Sequence, residues 1–205
     1  MTNYPVHYRA VHPLRFTRVQ LAARVVAFCA LGALGLSFGT LFAFAYLALP
    51  VFAAVRIGSR DPTTYLEQDG PNIVRALRWL AAVCAWAGLV SDRMPSSEPH
   101  EIVEVHIDSG MRPTPGSAIW RVVFGVPSAL VLSILGCIGT VVWLWAALSV
   151  LFTERVGQHA FRYLSGLQRW SIRLLAYQAS LVDEYPPFSF EDAPAPPLPN
   201  ARVAS

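Results

Sequence analysis

Between Arg24 and Arg56 the chain runs for about 31 residues without a charge, and a similar run separates Arg121 from Glu154. As a helix of about 1.5 Å per residue, each run measures roughly 46 Å, against a bilayer hydrocarbon core near 30 Å. Tilt alone would have to approach roughly 50°, beyond the usual range of about 0–40°. Two geometries relieve the excess. One is a long bent helix whose ends enter the headgroup layer, and Pro50 favours it by deleting one backbone hydrogen bond. The other is a re-entrant hairpin turning near Gly35–Gly39 and Gly136–Gly139. A hairpin would leave irregular backbone in the membrane core, which is tolerated only under a cover of protein. The bent helix is the favoured expectation.

The two runs belong to a repeat. Arg24-Val25-Val26 returns as Arg121-Val122-Val123, and Gly39 as Gly136, both at a shift of 97. Arg78-Trp79 with Asp92 and Pro95 returns as Arg169-Trp170 with Asp183 and Pro186, at a shift of 91. Val6-His7 resembles Val105-His106 at a shift of 99. The change of shift places about six extra residues in the first half, near Arg60-Asp61-Pro62, where a polar loop tolerates insertion. Each half therefore reads as a polar arm, an Arg, an apolar run, a charged loop, an Arg-Trp helix and an Asp-x-x-Pro exit.

The expected fold class is an all-α membrane protein of two tandem pseudo-symmetric halves with short extramembrane strands. Each half has a long bent transmembrane helix plus an amphipathic or spanning Arg-Trp helix. Residues 1–95 form the first repeat with its arm, and 96–117 form a linker containing a strand at 102–108. Residues 118–190 form the second repeat, and 191–205, with four prolines, a disordered tail. The strand expectation rests on alternation: Val103, Val105 and Ile107 face one way, Glu104 and His106 the other. Matched Val-His pairs suggest that the two arms pair antiparallel.

Composition agrees with a membrane setting: 54% of residues are apolar and 14% charged, against about 25% charged in a soluble domain. A formal charge of +3, scattered over the chain, excludes a nucleic-acid footprint. Cys29, Cys84 and Cys137 lie in apolar segments without Cys-x-x-Cys spacing and read as buried thiols, so no metal or cofactor is expected. With four spanning helices the arginines divide evenly between the two sides, and orientation stays open.

Arg162, Arg169 and Arg173 are spaced by seven and four, hence on one helical stripe. They suit an amphipathic helix over Phe161 to Val182 that lies at the interface or packs its polar face against protein, while Trp79, Trp86, Trp170 and Tyr177 suit the headgroup boundary. Arg78, Trp79, Arg162, Arg169, Trp170 and Arg173 are the candidate lipid-binding residues, a guanidinium being able to grip a headgroup phosphate. Asp92 and Asp183 end their helices, where the macrodipole disfavours a negative charge. Two repeat-related ion pairs, Arg24–Asp92 and Arg121–Asp183, are the expected compensation.

Arg169-Trp170 with Arg173, Ala176-Tyr177 and Asp183-x-Tyr185-Pro186-Pro187-Phe188 resembles a bacterial membrane family known as domain of unknown function 4389. The resemblance covers roughly 118–190. It weakens in the first half, where Met94 replaces the Tyr, Ser96 the second Pro, and Ala82 the Arg. It implies a multi-pass or membrane-inserted bacterial protein, commonly with the module duplicated, and supplies no activity, cofactor or catalytic residue.

No catalytic constellation is present. The expected function is a non-catalytic interaction or scaffold subunit of the bacterial inner membrane, multi-pass, binding anionic lipid and a protein partner or a second copy. The alternative is a small transporter or channel with a pathway between the halves. A polar cavity between them would mark transport, and a dry seam scaffolding.

Overall fold

The structure, a computed structural model, describes residues 4–59, 62–95, 102–107 and 114–190. The 191–205 tail and Asp108 at the end of the expected strand lie outside these residues. Helices dominate, joined by one two-stranded sheet. Strand β1 (Val6–Arg9) leads into α1 (Arg18–Ala33) and α2 (Phe38–Ser59). A short α3 (Pro62–Thr64) continues through a π-helical turn (Tyr65–Asp69) into α4 (Gly70–Ala87). Strand β2 (Glu104–Ile107), α5 (Pro115–Thr153) and α6 (Gln158–Gln178) complete the order.

The first apolar run is broken and the second is not. Gly35, at φ 69°, turns the chain between α1 and α2, a conformation that a side chain resists. The second run, with no residue of positive φ inside it, is one helix of 39 residues, roughly 58 Å long. Neither run is a hairpin. Phe16 N–H donates to Glu154 O (2.8 Å), Phe28 meets Trp143 edge-on at 5.0 Å, and Tyr46 Oη donates to Val122 O (2.6 Å). These contacts lay α1 and then α2 antiparallel along α5, so the first run keeps one direction across its break. Pro50 and Pro127 sit inside α2 and α5 without ending them. Gly39–Ser59 and Gly116–Thr153 are long and apolar enough to cross a membrane.

Most of α6 is buried. It packs against α5 and α2 on one side and β1 on another, with α4 alongside. Tyr163 Oη donates to Leu135 O (2.8 Å), and Gln178 Nε2 to Arg121 O (3.0 Å). The polar side of this helix therefore packs into protein, the second of the two placements open to it.

Strands β1 and β2 pair antiparallel in the register Val6↔Ile107, His7↔His106, Tyr8↔Val105 and Arg9↔Glu104. Val6, Tyr8, Val105 and Ile107 are buried beneath the sheet, while Arg9, Glu104 and His106 face outward. Cys29 and Cys137 correct the expectation of three buried thiols. Both are exposed on the apolar helices, and only Cys84 is partly enclosed.

Candidate functional site

Helices α4 and α6 end in the same way. Leu89 (φ 57°) and Ser180 (φ 54°) take the left-handed conformation just past the helix. Val90 N–H returns to Ala85 O (2.9 Å), and Leu181 N–H to Ala176 O (3.1 Å), so each end is closed by a Schellman turn. Glycine is the usual residue at this position; a side chain there costs about 1–2 kcal/mol. Both ends then receive a buried guanidinium. Arg24 Nε donates to Trp86 O (2.6 Å) and Nη2 to Ser91 O (2.7 Å). Arg121 Nη1 donates to Tyr177 O (3.1 Å) and Val182 O (2.6 Å).

The correspondence extends residue by residue. Trp86, Ser91 and Asp92 shifted by 91 are Tyr177, Val182 and Asp183, and Arg24 shifted by 97 is Arg121. Arg24 Nη2 lies 3.5 Å from Asp92 Oδ1, and Arg121 Nη2 lies 2.7 Å from Asp183 Oδ1. Each cation also lies over the ring whose carbonyl it caps, Trp86 at 5.4 Å and Tyr177 at 4.5 Å. A cation at a helix C-terminus meets the negative end of the macrodipole as well as unpaired carbonyls. Burial pulls the Arg24 guanidinium below its ordinary pKa, and Asp92 acts against that pull.

The seam between the first and second apolar runs is packed. Tyr46 lies against Gly125, where an added Cβ would stand 2.7 Å from the Tyr46 hydroxyl. Trp143, equivalent to Tyr46 at a shift of 97, meets Phe28, the equivalent of Gly125. Tyr65 Oη caps Ala179 O (2.6 Å), and Trp143 Nε1 caps Ala87 O (2.9 Å). Ser128 and Tyr185 share a hydrogen bond of 2.7 Å between their hydroxyls.

The candidate lipid-binding residues divide by burial. Arg169, Trp170 and Arg173 are inside the protein. Arg169 donates to Tyr8 O (3.2 Å) and to Phe190 O, and Arg173 lies 5.6 Å from the Tyr4 ring centre. Trp170 stands edge-on to Phe188 at 5.2 Å. A headgroup cannot reach these three, because β1 and the 185–190 segment cover them. Arg78 is half-buried and donates to Val105 O (2.9 Å). Trp79 and Arg162 are exposed. Trp86 and Tyr177, expected at the headgroup boundary, are buried too.

A groove of about 350 Å³ opens beside Arg75 and Arg78 at the start of α4. His7 and His106 stand opposite each other in the sheet. Among the described residues no group of three or more potential ligands could hold a metal ion. His100 lies outside them.

Sequence reasoning missed the sheet-side partners Tyr4, Tyr8 and Gln168. Tyr8 Oη donates to Gln168 Oε1 (2.8 Å), and Gln168 Nε2 to Cys84 O (2.6 Å), linking β1, α6 and α4. The signal was the alternation of Tyr4, Val6 and Tyr8 on one side of the arm. No curated protein and no solved structure matches the chain. The second half of the chain, residues 115–189, covering α5, α6 and the Tyr-Pro-Pro-Phe segment that packs on Trp170, matches the family model described as Domain of unknown function (DUF4389).

Proposed function

We propose that the protein is a non-catalytic, membrane-embedded interaction subunit of the cell membrane, made of two halves of common origin related by a pseudo-twofold axis. The observation that carries this reading is the outward face of α2 and α5. Leu41, Phe44, Leu47, Val51 and Val55 on α2 are exposed, as are Val123, Leu130, Val141, Leu148 and Phe152 on α5. Monomeric soluble proteins rarely expose so long an apolar patch, and one this large marks a surface that a membrane or another protein covers. Lipid is the partner that fits both helices. The repeat-related arginine caps support the common origin, as does the register His7↔His106, which sets equivalent residues face to face.

The packed seam argues against a transport pathway between the runs, since aromatic rings and Gly125 fill it. Any lipid headgroup recognition falls to Arg78, Trp79 and Arg162, which are not sealed inside. A second copy or another membrane protein is the expected companion.

Two measurements test the proposal. The chain should stay with membranes after alkaline carbonate washing; release into the soluble fraction would overturn the membrane reading. Native mass spectrometry from lipid nanodiscs should show a second copy or a stoichiometric protein. A bare monomer at every concentration would overturn the interaction role.

A further inference from the structure

We infer that the protein lies flat in one leaflet, with α1–α2 and α5 submerged lengthwise and the β1–β2 sheet in water. This rests on the membrane-embedded reading and specifies how the molecule is seated. The first ground is length. Helix α5 spans 39 residues, roughly 58 Å against a hydrocarbon core of about 30 Å. An upright helix would leave nearly half of its apolar side in water or headgroups.

The second ground is the shape of the exposed surface. At about 100° per residue, Val123, Ile134, Val141 and Phe152 fall within roughly 20° of one line down α5. All four are exposed, and no charged side chain interrupts that line from Ile119 to Phe152, because Arg121 is buried. The buried residues Ala118, Arg121, Leu132, Ala146 and Val150 form the opposite stripe. The result is a half-cylinder that is apolar from end to end. Helix α2 lies beside α5, and both touch α6, so their free faces point away from α6 together.

The third ground is the position of the sheet. Arg169 binds Tyr8 O and lies on α6 between Tyr163, bonded to Leu135 O, and Gln178, bonded to Arg121 O. Tyr8 therefore stands level with the α5 stretch between Arg121 and Leu135, in the first half of the long helix and beyond α6. Upright with α2 in the core, which Tyr46 sets beside Val122, this open two-stranded sheet, with Arg9, Glu104 and His106 outward, would enter hydrocarbon. Its edge N–H and C=O groups would have no partner there, and its charges no water. Flat, the sheet faces solvent and the half-cylinder faces acyl chains, as in an interfacial amphipathic element.

Spin labels decide between the two seatings. With Cys29, Cys84 and Cys137 replaced by Ala, the full chain would carry single labels at Val123→Cys, Ile134→Cys, Val141→Cys, Phe152→Cys or His106→Cys. Vesicles of phosphatidylcholine and phosphatidylglycerol would hold it, and power saturation with oxygen and a nickel chelate would report depth. The four α5 labels should lie within about 5 Å of one common depth, near the acyl boundary, with the label at 106 in water. A depth maximum at Ile134 and Val141 flanked by shallow ends, with the 106 label in hydrocarbon, would overturn flat seating and leave the membrane reading standing. Absence of oxygen enrichment at all five positions would overturn both.

Discussion

Arg24 and Arg121 are buried cations that each satisfy two carbonyls at the end of a helix, and their carboxylate partners are unequally enclosed. Asp183 is largely exposed, whereas Asp92 is mostly covered. Leaving a buried carbonyl without a donor costs about 1–3 kcal/mol each, while an exposed ion pair contributes about 0–1 kcal/mol. Arg121→Leu should therefore destabilise by about 3 kcal/mol or more, counting both carbonyls, and Asp183→Asn by less than about 1 kcal/mol. Unfolding in mixed micelles followed by tryptophan fluorescence would measure both; equal losses would make the ion pair, and not the helix cap, the main contribution. Ser180 is a second test. It is buried, left-handed, and its hydroxyl has no partner. Ser180→Gly should raise stability by about 1 kcal/mol through relief of the left-handed conformation, read as a higher unfolding midpoint. Burial also sets the alkaline limit. It pushes the Cys84 thiol up to about 11 and raises the Tyr4 and Tyr65 hydroxyls above their ordinary range. These groups stay neutral when folded but ionise earlier when unfolded, so the unfolded chain holds fewer protons above its own pKa values. Stability should be flat below about pH 9 and fall beyond it. Thermal melts from pH 7 to 11 would check this; a midpoint that stays flat across that range would mean the groups are solvated in the folded chain.

Helices α1–α2 and α5 show how two similar apolar runs yield different elements. Both runs are apolar and carry a proline, yet only the first breaks, at the positive-φ Gly35. Gly136, the equivalent of Gly39, sits inside α5 with open space where a Cβ would go. Gly35→Ala should cost about 1–2 kcal/mol because a left-handed residue gains a Cβ. Gly136→Ala should instead gain about 0.5–1 kcal/mol from helix propensity. Melting temperatures of the two variants would move in opposite directions; a shared direction would contradict the assigned conformations. The extra residues of the first half take the form of α3 and the π-helical turn between α2 and α4. There Arg56 pairs with Asp69 at 2.6 Å, an arrangement that no spacing in the sequence announces.

At the level of the molecule, the arms close the structure. Strand β1 comes from the start of the chain and β2 from the link between the halves, and their pairing covers α6 and touches α4. Opposed residues in an antiparallel pair have Cα atoms about 4.5–5.5 Å apart, inside the Cα separation of about 4.4–6.8 Å that a disulfide spans. The double variant His7→Cys with His106→Cys should cross-link on mild oxidation and migrate faster on a non-reducing gel. Single-residue offsets, such as His7→Cys with Val105→Cys, should not. Efficient cross-linking of the offset pair would mean a different register.

Periodicity and charge spacing were enough to read the two apolar runs, the Arg-Trp helices and the paired arms, and a motif resemblance over roughly 118–190 anticipated the family match at 115–189. Each depends on local alternation or on a pattern that the chain states twice. The direction of the arginines was not readable in this way. Arg169 and Arg173 share the stripe of an interfacial helix, but a stripe does not say whether lipid or protein lies against it. Only the tertiary structure supplied β1, Tyr4 and Tyr8 as their cover. The sequence offered a turn at both Gly35–Gly39 and Gly136–Gly139, and only the tertiary structure decided that the first run breaks at Gly35 without reversing and that α5 stays continuous, because both runs satisfy the same hydrophobic pattern.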